Sequence, residues 1–428
     1  MPPRKSFRHV ARIEVHLWDH LVGAIARDPS SGFYAFRYTD DFRARGIEPA
    51  PLYMPTSRAE TFLFPSLQER TYHRLPALVN DSLPDKFGNA LIDKALFSYG
   101  IAKEAITPLD RLAYLGSRAM GALRFKPAQG EVKHATAIEL RDLVDEARQA
   151  IRGNLDSEGA QGLQHIISVG VSAGGARPKA VVSWSPETGE FRSGQFDAPQ
   201  GFEHWLLKFD GIEEGQLDEP RNEGRIEYAY HLMAKAAGIR MTECRLHEEG
   251  GRAHFMTRRF EREAGATRHH IQTLCAMGHM DFGQMGAYSY GQLFDVIQRL
   301  RLSDADLEQA FRRMAFNVMA RNLDDHTKNW SFLLRQGCTW ELAPAYDLTF
   351  AHDPSGRWNY QHFLAVNGKH DDIARHDLLQ EAERFSIGGA KSILDEIRSA
   401  VERWGEFGEA AGVSRRKLEE IGGHHRPL

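Results

Sequence analysis

An apolar helical stripe over residues 307–323, with Phe311, Ala315 and Val318 on one face, runs straight into the polar octet Asn322-Leu-Asp324-Asp325-His326-Thr-Lys328-Asn329. Two short β-rich runs follow at 330–334 and 338–342. The stripe demands burial against other elements, and the two runs demand a reversal into a hairpin. The octet is therefore expected where a buried helix ends and a hairpin begins. Carboxylates, an imidazole, an ammonium group and an amide are gathered there.

The remaining chain reads as a mixed α+β fold around that junction. Residues 13–38 form two β-rich runs, with the Asp28-Pro-Ser-Ser-Gly32 turn joining 21–26 to 33–38 as a hairpin. From Leu83-Pro84-Asp85 to Gly100, Phe87, Leu91, Ala95 and Leu96 recur at helical spacing, and a second helix precedes Gly116. Polar stretches at 129–134 and 153–162 bracket a charged helical piece, so an amino-terminal domain over 1–130 and a linker over 131–160 are expected. Beyond the linker, 179–184 and 204–209 read as strands. Ile226, Tyr230, Met233 and Ala237 mark a helix ended by Gly238, residues 293–300 form another, and the tail is helical up to a polar His-Arg-Pro end. Residues 161–428 are thus expected as one core, strand-rich over 161–260 and mostly helical over 261–428. No internal repeat occurs.

Composition excludes several classes. With 42% hydrophobic and 26% charged residues, the chain is neither disordered, collagenous nor a coiled coil. Its 54 basic and 58 acidic residues leave a net charge of −4, so no general basic field is available for nucleic acid or an anionic membrane. Any nucleic-acid contact is local or borrowed from a partner. Cys244, Cys275 and Cys338 fit neither a disulfide framework nor a Cys-x-x-Cys knuckle and read as reduced thiols. Near the amino terminus, Glu14 and Asp19 interrupt the apolar residues that follow Arg4, Lys5, Arg8 and Arg12. No run approaches the roughly 18 apolar residues of a membrane span, and a cytoplasmic protein without membrane contacts is expected.

In protein kinases the catalytic loop holds an Asp that accepts the substrate hydroxyl proton and, five positions on, an Asn that binds Mg²⁺. Asp324 and Asn329 reproduce that spacing, and Asp347 in Pro344-Ala-Tyr346-Asp347 follows the two short strands, where a kinase puts its main metal-binding acid. A carboxylate cap at a helix end and a hydrolytic metal site of Asp324, Asp325 and His326 are the other readings of the same residues. Ser172-Ala-Gly174-Gly175-Ala176-Arg177-Pro178-Lys179 is a glycine turn entering a strand. It suits either a phosphate nest or a plain hairpin turn, and it is not a P-loop. Lys208 closes the strand His204-Trp-Leu-Leu-Lys208-Phe209 as either a phosphate-gripping lysine or an edge gatekeeper. Glu227 on the following helix is expected on a solvated face, with pairing to Lys208 as the alternative.

Taken in order, these pieces resemble the HipA family of serine/threonine kinases, the toxin members of bacterial toxin–antitoxin pairs. The resemblance rests on Gly174 to Lys179, Arg259-Phe260-Glu261-Arg262, Asp324-x-His326-x-Lys328-Asn329, Pro344-x-Tyr346-Asp347 and the amino-terminal hairpin with Leu83-Pro84-Asp85. It implies an amino-terminal subdomain packed on a bilobal kinase-like core, ATP and Mg²⁺ as cofactors, and phosphorylation of a protein serine. It also implies a small helix-turn-helix HipB-like antitoxin as partner and operator DNA reached through that antitoxin. The family's best-known targets are aminoacyl-tRNA synthetases. A catalytically silent corepressor and a small-molecule kinase are the competing functions.

Residue by residue, the resemblance implies Asp324 as general base, Asn329 and Asp347 as metal ligands, and Lys208 as the phosphate-binding lysine. It places Gly174, Gly175, Ala176, Arg177, Pro178 and Lys179 over the nucleotide, with Arg258, Arg259 and Phe260 at the adenine hinge. His326, Thr327, Lys328 and Asn329 complete the phosphate side, and Tyr346 lies beside the metal Asp. Ser172 matches the family's autophosphorylated serine. The chain departs from the family pattern at Arg258, where Glu is common, and at Ile226, where Asn is common.

Overall fold

The computed structural model of the chain describes residues 7–84, 86–97, 99–129, 137–138, 178–211, 222–263 and 265–428. It divides into two compact units, one of Met1–Glu219 with Glu261–Ile271 and Arg335–Gly337, the other of Pro220–Phe260, Gln272–Leu334 and Cys338–Leu428.

The first unit opens with an antiparallel sheet in which Tyr34–Tyr38, His20–Arg27, Arg12–Leu17 and Leu123–Lys126 lie side by side in that order. The expected hairpin between the second and third runs is present, with Ala26 opposite Ala35. Residues 13–38 nevertheless hold three strands, not two runs. Arg12–Leu17 folds back on His20–Arg27 through Trp18 and Asp19, with Leu17 opposite His20. Trp18 adopts φ 54°, the left-handed conformation that such a two-residue turn requires, and no Gly or Asn announces it in the sequence. Helix Pro108–Leu115 begins with a reciprocal cap between Thr107 and Asp110 and stops at Gly116, φ 57°. Asp110 is wholly buried and also accepts from the Val10 amide at 2.9 Å. The same unit carries strands Ala137–Ile138, Phe191–Ser193, Lys179–Trp184 and Glu203–Lys208, each antiparallel to the next. Ala137–Ile138 is thus a strand within the stretch expected to be helical; the rest of that stretch lies outside the described residues.

In the second unit, helix Glu223–Ala236 packs under the hairpin Cys244–Glu249/Arg252–Arg258 and carries fully buried Tyr230. The Tyr230 hydroxyl donates to the Ala320 carbonyl at 2.5 Å, and its ring meets Trp404 edge-on at 5.4 Å. Helices Tyr290–Arg299 and Asp304–Met319 follow, then the expected hairpin Ser331–Leu334/Trp340–Leu342 and the tail helices Arg375–Arg384, Ala390–Glu402, Trp404–Ala410 and Arg415–Gly422. Cys244 and Cys275 are buried, Cys338 is exposed, and all three are free thiols. Among the described residues no helix is long and apolar enough to cross a membrane.

Candidate active site

The helix expected over 307–323 ends at Met319, and its ending creates the site. Arg321 takes φ 55° and the Asn322 amide reaches back to the Asn317 carbonyl at 2.9 Å, a left-handed stop made without glycine. Leu323 then donates to Ala351 at 3.0 Å and Ala351 to Arg321 at 3.2 Å, so the polar octet begins as a strand-like pairing with the segment after Asp347.

From there the two neighbouring acids part. Asp324 faces solvent, with His326 Nε2 at 3.7 Å from its Oδ1. Asp325 turns inward: its Oδ2 accepts from the Tyr290 hydroxyl at 2.6 Å and lies 3.0 Å from His362 Nδ1, while its Oδ1 accepts from the Phe363 amide at 2.7 Å. Asn317 donates to Tyr290 at 3.0 Å and accepts from Asn322 at 2.9 Å, extending the network into the helix. Burial first and the Asp325 charge second push the Tyr290 phenol well above its ordinary range, which keeps it a donor. A cap at a helix end does not describe Asp325, whose oxygens serve tertiary partners. The hydrolytic metal reading also fails, because Asp325 is turned away and no cluster of three or more His, Cys, Asp or Glu exists among the described residues.

The loop closes as the short 3₁₀ turn Thr327–Asn329. Buried Thr327 donates to the Met280 carbonyl at 2.7 Å, and the Asn329 amide nitrogen donates to the Asp324 carbonyl at 2.7 Å. His326 lies between the rings of Phe282 and Phe363 at 5.8 and 6.0 Å, and Lys328 Nζ stands 4.4 Å over Phe282. The hairpin then reverses the chain with Phe332 opposite Leu342, and Ala345 bonds Arg240 at 2.8 Å. Tyr346 donates to the Lys328 carbonyl at 2.8 Å and meets Ser331 Oγ at 2.5 Å, tying the strand end to the loop. Asp347 follows at φ 55°. A single cleft is lined by Arg313, Asn317, Asn322, Asp325, Asn329, Tyr346 and Asp347, so the folded chain unites the two expected metal ligands.

Arg313 is a component with no sequence signal. It is buried, donates to the Ala343 carbonyl at 2.7 Å and lies 5.7 Å over the Trp330 ring. Burial lowers its pKa to about 9, still a cation at neutral pH. Asp325, Tyr290, Asn317 and His362 were likewise not legible as parts of one network. His362 lies on no periodic segment, and Asn317 looks like one more polar residue in a helix.

The other expected residues fall as follows. Phe260 lies 5.9 Å from Tyr346, ring to ring, and Arg259 is buried beside it in sequence. Arg258 ends its strand in an exposed position, 3.9 Å from Glu243. Glu227 is buried, which overturns the expected solvated face: the helix is covered by the hairpin on one side and by Trp404–Ala410 on another. In the first unit, Lys179 and Lys208 stand directly opposite each other on adjacent antiparallel strands, both buried, and Pro178 accepts from the Phe209 amide at 3.2 Å. Ser172, Gly174, Gly175, Ala176 and Arg177 lie outside the described residues.

Two family models match the chain, the HipA N-terminal domain over residues 13–126 and the HipA-like C-terminal domain over 171–404. The second alone spans more than half of the sequence. The chain belongs to the HipA family. A curated relative, the serine/threonine-protein kinase toxin HipA of Shewanella oneidensis, is 23% identical over 359 residues, 78% of this chain and 74% of the relative. Among solved structures, the fold is similar to a chain of the Shewanella oneidensis complex of HipA, HipB and operator DNA, with a TM-score of 0.68 at 18% identity over 96% of this chain and 94% of that one. The α+β architecture is thus that of HipA proteins, and the match spans both family domains.

Proposed function

We propose that this HipA-family chain is an ATP-dependent serine/threonine protein kinase and the toxin of a toxin–antitoxin pair. The observation that carries the reading is the closure of the 324–329 loop by the Asn329–Asp324 bond, with Asp347 brought into the same cleft.

The donor set fits Mg²⁺. Asn329 spends its NH₂ on the Asp324 carbonyl, which directs its amide oxygen elsewhere, and Asp347 adds carboxylate oxygens; both are hard donors of the kind Mg²⁺ takes. Bound there, Mg²⁺ would neutralise charge on the phosphates of ATP. Asp324 accepts the proton of the acceptor hydroxyl as that oxygen bonds the γ-phosphorus and the bond to the ADP oxygen breaks. Lys328 and His326, steadied by Phe282 and Phe363, hold the phosphate side. Lys179 and Lys208 supply cationic ends on one face of their sheet, and Gly174 to Arg177 cover the nucleotide. Arg258, Arg259 and Phe260 hold adenine.

Ser172 is the autophosphorylation site, where one added dianion would drive the glycine turn off the nucleotide. The partner is a small helix-turn-helix HipB-like antitoxin, and with a net charge of −4 the chain reaches operator DNA through it. The acceptor is a cytoplasmic protein, with aminoacyl-tRNA synthetases the first class to test. Incubation of the full chain with Mg²⁺ and γ-labelled ATP tests the reading. Label transferred to protein, with one added phosphate mapping to Ser172, supports it; a wild-type chain that transfers no label to itself, to synthetases or to a cell extract overturns it.

A further inference from the structure

Asp325 stands where three separate stretches of the second unit meet: the start of helix Tyr290–Arg299, the octet itself and the segment at 362–363. Its side chain is wholly buried, and an ionised carboxylate in such a place is tolerated only when donors fill its lone pairs. Three groups meet it here: the Tyr290 hydroxyl and the Phe363 amide donate, and His362 Nδ1 lies 3.0 Å away, where its Nδ1–H tautomer adds a third donor. The donors come from residues 35, 37 and 38 positions away in sequence, so the contacts are tertiary and do not serve local turn geometry. The next strand pair sits immediately behind them: Leu364–Ala365 runs parallel to Tyr288–Ser289.

Adjacency to Asp324 gives these bonds a consequence. One peptide separates an acid with every oxygen committed from an acid that faces solvent. Fixing the Asp325 backbone fixes that of Asp324, and Asn329 fixes the other side of the loop through the Asp324 carbonyl. We propose that Asp325 is a positioning residue that clamps the 324–329 loop to Tyr290 and to the 362–363 segment, so that Asp324 is held ready for the acceptor hydroxyl. The clamp deepens the phosphotransfer reading above and rests on it for its effect on rate. A displacement of about 1 Å at a reacting group can cost on the order of 100-fold in rate, so a clamp of this kind has a measurable effect.

Asp325→Asn is nearly isosteric but mismatched. If its oxygen accepts from Phe363, its NH₂ faces Tyr290, whose oxygen already accepts from Asn317, and the phenol proton loses its acceptor. Tyr290→Phe removes one donor and keeps the ring, which protects the test from failure to fold. In the full chain without nucleotide, amide hydrogen exchange is expected to quicken about tenfold or more in both variants, at 324–329 and 362–366 together, with helix Asp304–Met319 unchanged. Turnover should fall on the order of 10- to 100-fold while KM for ATP stays within about twofold, and the double variant should be no worse than Asp325→Asn alone. Exchange that quickens in only one of the two segments, or in neither, overturns the clamp. So does a folded Asp325→Asn chain with wild-type turnover. A wild type that transfers no phosphate overturns the kinase reading instead, and exchange alone then decides whether the clamp exists.

Discussion

Asp324 leaves 53% of its side chain exposed, while Asp325, the next residue, exposes none. The division arises because the loop runs between a solvent-facing mouth and a buried floor made by Tyr290, His362 and Phe363. In the proposed phosphotransfer these two identical functional groups would take opposite duties, Asp324 receiving a proton and Asp325 holding the frame.

Asp324→Asn is expected to abolish phosphoryl transfer, by about 100-fold or more, while ATP affinity is retained. The amide cannot accept the proton, and the change leaves the main-chain carbonyl that Asn329 uses untouched. Single-turnover transfer and equilibrium binding of a fluorescent ATP analogue separate the two effects. Unchanged turnover would remove Asp324 from the mechanism.

Asp347→Asn should weaken Mg²⁺-dependent nucleotide binding by at least about tenfold. Asn tolerates the left-handed backbone that Asp347 occupies at φ 55°, so the loss is assignable to the missing charge and not to strain. Titration with ATP at fixed and varied Mg²⁺ checks this, and an affinity that remains wild-type at limiting Mg²⁺ would count against metal ligation by Asp347.

The proposed reagents Asp324, Asn329 and Asp347 stand out in the sequence, and the fold lines one cleft with Asn329 and Asp347, whereas the residues that frame them do not stand out. Asp324, Asn329 and Asp347 declare themselves because loop chemistry fixes their spacing within one short stretch. Tyr290, Asn317 and His362 do not, because their partnership spans tens of residues and each alone is an unremarked member of its own segment. The same limit applies to backbone turns: Trp18 and Arg321 both adopt left-handed conformations usually given to Gly or Asn, so the residue pattern runs the first strand into the second and carries the long helix four residues past its end at Met319. The charge of Glu227 suggests a solvated face, but the fold covers its helix on more than one side.

Gly224→Ala should destabilise the second unit, although alanine ordinarily favours a helix over glycine by about 1 kcal/mol. A Cβ at this position would lie 2.0 Å from the Ala253 carbonyl oxygen in the covering hairpin, a backbone atom that cannot rotate away. Overpacking of that kind costs about 1–3 kcal/mol and more where backbone must move, so a net loss of about 2 kcal/mol is expected. Urea unfolding followed by tryptophan fluorescence measures it, and a chain stabilised by the change would show that the hairpin is free to lift.

Acid should destabilise the fold well before its carboxylates titrate. His270 is buried with its Nε2 3.0 Å from the Pro49 carbonyl, and burial lowers its pKa from 6.5 to about 4. Burial holds His231, His279 and His425 down at about 4 as well. Between pH 6.5 and 4 the unfolded chain binds protons at these positions that the native chain refuses, so stability is complete above pH 6.5 and is lost as pH falls toward 4. His270 alone contributes about 1–2 kcal/mol of this loss from pH 6.5 to 5, with a limiting slope of roughly 1.4 kcal/mol per pH unit. His270→Gln retains an amide donor for Pro49 and cannot ionise. Its urea midpoint is expected to fall less steeply than that of the wild type between pH 6.5 and 5, by close to one proton's worth of slope, whatever its stability at pH 7. Parallel slopes for the two proteins would show that His270 is protonated in the native state.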